Sequence, residues 1–186
     1  MSVNLRDFTR AAYTFDAVVR RVPGDTWERR SPCEDWTAAE VLGHVVWILQ
    51  RITAGARGEG RPAERPEAEI AGADPRATWN DALRTTLAAL DQPNVLDRKV
   101  EVAFGTTTID GMLGFVPSDL LAHAWDIATT ADLDAHLPAD MCERFTVGIA
   151  AAGDGVRGPG LMAAAVDVPA DADAATRFVA QTGRTP

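Results

Sequence analysis

The chain has 186 residues, 46% of them hydrophobic and 24% charged, the balance expected of an ordinary soluble domain with a sizeable core. Its formal net charge of −9 argues against binding to a phosphate backbone, which needs basic surface. No apolar run approaches the roughly 18 residues that span a bilayer, so neither nucleic acid nor a membrane is an expected partner.

Leu5, Phe8, Ala12, Phe15, Val18, Val19 and Val22 recur at helical spacing and predict a first helix that ends near Pro23-Gly24. A connection over 25–35 follows. Thr37-Ala-Ala-Glu40 has the form of a capping box and predicts a second helix through the apolar run Val41–Ile52, with Gly55 as its stop. Residues 55–75 are rich in Gly, Pro, Arg and Glu and read as a long functional loop. Asp74-Pro75 opens a third helix carrying Trp79, Leu83, Leu87 and Leu90 on one stripe. Residues 95–108 read as a short extended segment or loop across the end of a bundle, not a sheet. A fourth helix is expected over 110–131, kinked or restarted at Pro117. Leu137-Pro138 begins a fifth that runs to about Ala152. Gly153–Gly160 reads as a flexible break, and 171–181 as a short last helix stopped by Gly183. The expected architecture is one mostly α domain over 1–186: a four-helix bundle with short extended segments and a small C-terminal helix.

Two of these helices carry polar side chains on apolar faces. His44 lies on the stripe of Val41 and Ile48. Asp119 and His123 are four residues apart, so they stack on one face of the fourth helix, which Phe115 and Ile127 continue. A buried carboxylate needs a partner, and a divalent cation or an arginine serves. His44, Asp119 and His123 form a candidate three-ligand metal site with coordination positions left open for water or substrate. Zinc suits two histidines and a carboxylate, and nickel, iron and manganese accept the same set. A hydrogen-bonded core histidine and a surface Asp–His pair are the alternatives. Asp126, one turn beyond His123, is placed to orient a ligand histidine or to join the site, the alternative being an interior carboxylate paired with an arginine elsewhere or with backbone. Cys33 sits beside the second helix and reads as an inert buried thiol, with membership of the site as the alternative. With Cys142 it lacks any CxxC spacing, and the N-terminus lacks a signal-peptide pattern. Both point to a reduced, cytoplasmic protein, a Cys33–Cys142 disulfide being the alternative. His136, in a turn, is expected to be exposed. Trp36, Trp47 and Trp125 are candidate pocket walls, and Arg51 and Arg84 candidate anion holders. There is no P-loop, nucleophile elbow or dinucleotide fingerprint.

Ser31-Pro-Cys-Glu-Asp-Trp36-Thr, Val41-Leu-Gly-His44, Leu121-Ala-His123-Ala-Trp-Asp126 and the ending Arg177-Phe-Val-Ala-Gln-Thr-Gly183-Arg184-Thr-Pro186 resemble an actinobacterial family of metal-binding proteins. That family is related to the N-terminal domain of mycothiol-dependent maleylpyruvate isomerase, within the DinB-like superfamily. The resemblance implies a DinB-like bundle in which His44 and His123 are metal ligands, with Asp119 standing where the isomerase carries Glu. It implies a thiol, mycothiol, and a small electrophilic substrate as partners, hence a transferase or isomerase. The isomerase has a further C-terminal domain, and the resemblance leads to the expectation that this chain stops before one. A non-catalytic metal- or ligand-binding protein and an association protein, for which a homodimer is the natural form, are the competing expectations.

Overall fold

The computed structural model describes residues 2–33, 35–102, 105–158 and 162–186. Four long helices build the core: α1 (Val3–Val19), α2 (Ala38–Arg57), α4 (Pro75–Leu90) and α6 (Val116–Thr130). Helix α1 packs on α6, and α2 packs on both α4 and α6. Phe8, Phe15, Leu42, Leu49, Trp79, Leu120 and Ile127 fill the space between them. Three of the four start on a side-chain cap, and α6 starts with Pro117 in its first turn. Ser2 accepts the Leu5 amide at the head of α1, and Asp74 accepts the Ala77 amide at the head of α4. The capping box of α2 is complete, with Thr37 accepting the Glu40 amide and Glu40 accepting the Thr37 amide.

Buried polar groups tie the helices together. The Trp79 indole donates to Asp16 at 3.1 Å, and the Thr53 and Thr86 hydroxyls meet at 2.9 Å. The helices α7 (Ala139–Ala152) and α8 (Ala174–Gln181) pack on each other beside the bundle. Arg144 fastens α7 to α1 through the buried Asp7 at 2.6 Å, and Arg10 reaches Asp140 at 2.7 Å.

The second helix does not stop at Gly55. It continues to Arg57 and ends at Gly58, whose φ of 74° is the left-handed conformation a helix terminus uses. Gly55 is instead a packing residue, because a Cβ there would lie 2.6 Å from the Val100 side chain. The expected long loop also contains a further helix, α3 (Glu67–Ala71), laid across α2 at Gly43. Its brevity leaves no helical period to read. Residues 95–108 hold a two-stranded antiparallel sheet, β1 (Lys99–Val102) with β2 (Gly105–Thr108), paired from Lys99↔Thr108 to Val102↔Gly105. The expectation of no sheet is therefore corrected: this hairpin lies half-buried at the bundle end, and tertiary support lets so short a pair form.

The expected fourth helix is two helices, α5 (Ile109–Leu113) and α6, with the chain restarting at Pro117 in the first turn of α6. Phe115 does not continue the buried face. It precedes α6 and is 64% exposed. Of the expected break over 153–160, Gly153–Val156 is a 3-10 turn, and Pro159 and Gly160 lie outside the described residues. Ala103 and Phe104, within the expected extended segment, and Glu34, within the quoted Ser31–Thr37 motif, lie outside them too. Among the described residues no helix is long and apolar enough to cross a membrane.

Gly43 gives the packing a test. A Cβ at this position would fall 2.0 Å from the Glu67 carbonyl oxygen, which is rigid backbone. Gly43→Ala is expected to destabilise the metal-stripped protein by about 1–3 kcal/mol in urea unfolding, because α3 must lift off α2.

Candidate metal centre

His44 projects from the second turn of α2, and Asp119 and His123 from successive turns of α6. The packing of α2 on α6 brings the three together. His44 Nε2 is 3.6 Å from Asp119 Oδ2, and His123 Nε2 is 3.5 Å from Asp119 Oδ1. One ligand atom from each of the three lies within 4.8 Å of the others. The imidazole centroids are 5.0 Å apart and nearly edge to face. Trp36 covers His44 at 4.9 Å between rings.

Asp119 Oδ2 is buried and makes no hydrogen bond. Such an orphaned oxygen is costly unless a cation or proton meets it. A tetrahedral cation with bonds of roughly 2.0–2.1 Å spaces its ligand atoms roughly 3.4 Å apart. The 3.5 and 3.6 Å separations run to different oxygens of Asp119, and one ligand atom from each residue lies within 4.8 Å of the other two, so this donor set with its orphaned oxygen fits a divalent ion after a small inward shift of the side chains.

Asp126 is fully buried and accepts from His123 Nδ1 at 2.8 Å. With Nδ1 committed to Asp126, Nε2 is the nitrogen left facing Asp119, and it is the one a metal would take in place of its proton. Arg184, from the C-terminal segment, completes the pair. Its Nη2 donates to Asp126 Oδ2 at 2.8 Å and its Nε to Oδ1 at 3.1 Å, while Nη1 reaches the Thr182 carbonyl at 3.2 Å. Asp126 therefore orients His123, and with Cys33 and His123 it also forms a second set of ligand atoms within 4.8 Å of one another. Nothing in the sequence pairs Arg184 with a residue 58 positions earlier. Its place in the quoted terminal motif was the only signal.

Burial opposes the charge on Asp119, but His123 and His44 beside it outweigh burial and hold its carboxyl well below the usual carboxylate range. Burial likewise works against a proton on His123, yet Asp119 and Asp126 raise it to about 9. Asp126 is lowered: burial is overcome by hydrogen bonds from His123 and Arg184.

Cys33 also lines the site, with its sulfur near His123 and Asp126. Burial first, and the Asp126 charge second, push its thiol up to about 11, so it is neutral near pH 7. Cys33 and Cys142 are both free, so there is no disulfide between them. His136 is exposed and pairs with Asp134, as expected. Trp36 walls the cavity that opens from the cluster, whereas Trp47 faces a smaller one next to His44 and Trp125 lines neither. Arg51 stacks on Trp47, and Arg84 pairs with Asp81 on the surface, so neither candidate anion holder faces the larger cavity.

A helical bundle whose two central helices present His, Asp and His to one cavity defines a class of site. The chain belongs to the family described as the mycothiol maleylpyruvate isomerase N-terminal domain, which matches residues 8–128. Two uncharacterized proteins from strains of Mycobacterium tuberculosis are each 28% identical over 155 residues, covering 81% of this chain and 80% of theirs. Crystal structures of the mycothiol-dependent maleylpyruvate isomerase and of a mutant of it superpose with a TM-score of 0.62. They are 16% and 18% identical, over 78% of this chain and 68% of theirs, a likeness of fold.

Two outcomes follow from the Asp126 cluster. Arg184→Ala is expected to lower stability by about 3 kcal/mol in denaturant unfolding, since it strips a buried carboxylate of its fork. Arg184→Lys should recover only part of that, because a point charge cannot replace two parallel bonds. Without a cation, stability is also expected to vary with pH. The His123 proton contributes stability that is whole below pH 6.5 and lost as pH rises through about 9. The lowered Asp119 and Asp126 contribute above the ordinary value of 3.8, and that contribution is lost as pH falls below it. Urea midpoints of the metal-stripped protein should therefore decline from pH 6.5 to 9, and His123→Gln should flatten that alkaline limb.

Proposed function

We propose that His44, Asp119 and His123 bind one divalent cation, zinc foremost, and that the protein is a metal- and thiol-dependent transferase or isomerase acting on a small electrophile. Mycothiol is the proposed thiol, by kinship with the isomerase whose name carries it. The observation that carries this reading is the unpartnered, buried Asp119 Oδ2 set between two imidazoles at the wall of a large cavity.

A divalent cation held by three protein ligands would lower the pKa of a thiol at its remaining position, so that thiolate is available near neutral pH. The chain's own residues supply the rest. Asp126 and Arg184 fix the His123 tautomer and ring plane. Trp36 packs against the His44 ring and limits its rotation.

Elemental mass spectrometry on untagged protein tests the first half. About one equivalent of metal is expected, lost in His44→Ala and His123→Ala, with affinity weakened about 10–100-fold in Asp126→Asn. Metal-dependent transfer of a thiol to electrophiles tests the second. Metal binding without any thiol transfer would reduce the reading to a non-catalytic metal-binding protein. No metal after reconstitution would reduce the three residues to a buried polar network.

A further inference from the structure

The cavity that begins at the cluster is large and becomes apolar as it leaves it. Its volume is about 1160 Å³, beyond the roughly 300–1,000 Å³ of ordinary small-molecule sites. One wall is a stripe of α7: Phe145, Gly148, Ile149 and Ala152 follow one another at helical spacing and all face the cavity. Gly148 and Ala152 are exposed, whereas Ile149 belongs to the core and Phe145 packs half-buried against it, so the stripe joins the core on one side and stays open to the cavity on the other. Phe115, 64% exposed, and Val156 and Met162 also line it. An aromatic ring left so open at the rim of an apolar stripe is the usual mark of a binding surface.

The charges lining the cavity decide what kind of molecule fits. Among the described residues the cationic groups there are His44, His123 and Arg184. Both imidazoles face Asp119. The Arg184 guanidinium is taken up by both oxygens of Asp126 and by the Thr182 carbonyl. Asp35 adds a further negative charge to the lining, and the whole chain carries −9. Away from the metal position, which the proposed thiol takes, a dicarboxylate would meet no free side-chain cation along the lining and would approach against the field of the protein.

We propose that the site takes an uncharged substrate with an apolar body, its electrophilic end at the cluster and its body along the Phe145–Ala152 stripe. Small dicarboxylates, the chemical class of maleylpyruvate, are then poor ligands for this chain. The position of the reacting end rests on the metal-centre reading above; the apolar seat stands on the lining residues alone.

The test uses N-phenyl-1-naphthylamine, an uncharged probe whose fluorescence rises in apolar surroundings, titrated into the full chain with and without zinc. Saturable binding is expected in both forms, so a failure of zinc binding and a failure of the apolar seat are read separately. Gly148→Trp fills the stripe, and a Cβ there meets nothing within 4 Å, so the fold should tolerate it. It is expected to weaken the probe about tenfold or more, the loss of a seat for one ring, with the urea midpoint unchanged. In the zinc-free form, where no metal can ligate a carboxylate, maleate should not displace the probe from the unmodified protein. Ala152→Arg, which adds a cation to the stripe, should weaken the probe and let maleate bind. Displacement by maleate from the zinc-free unmodified protein, equal probe affinity in both variants, or no saturable binding would each overturn the proposal.

Discussion

Asp126 is fully buried, and a buried carboxylate stays charged only with partners that repay its lost hydration. It finds two, the neighbouring His123 on its own helix and Arg184 from the far end of the chain. That one requirement has three consequences. It sets which nitrogen of His123 is left to face Asp119. It pins the C-terminal segment against α6. It also turns Thr182–Thr185 into a wall of the cavity, which would otherwise open to solvent on that side.

The remaining wall depends on a second buried carboxylate, met by an arginine at the surface. Helix α7 buries few side chains of its own, chiefly Met141, Cys142 and Ile149. Its place is held by packing on α8 and by ionic contacts to α1, where the buried Asp7 receives Arg144. Because so little of α7 is spent on packing, its Phe145–Ala152 stripe is left to face the cavity. The same economy of contact makes this layer the natural place for sequence change, since residues there answer to a ligand more than to the core.

The division between the two layers bears on chemistry. His44, Asp119, His123 and Asp126 all fall within residues 8–128, the span matched by the family. Phe145, Gly148, Ile149, Ala152 and Arg184 fall beyond it. The family span thus supplies the polar cluster, and the residues after it supply the seat beside that cluster. A kinship established on the first need not carry the substrate of the second, because a site's reactivity and its selectivity are set by different side chains.

The sequence by itself determined the helices and the cluster. Apolar residues at helical spacing, with Thr37, Asp74 and Pro117 at helix starts, are local signals, and helix formation answers to local signals. Asp119 and His123 share a face for the same reason, and His44 stood out as a polar group on an apolar stripe. Tertiary structure decided the rest. Gly55 reads as a helix stop until Val100 is seen packed against it, and only Gly58 has the required backbone conformation. The β1–β2 hairpin and α3 are too short to carry a period and form because the bundle supports them. The pairing of Asp126 with Arg184 and the facing of α7 onto the cluster join residues far apart in the chain. No local pattern encodes such contacts; they exist because burial forces each charge to find its partner in three dimensions.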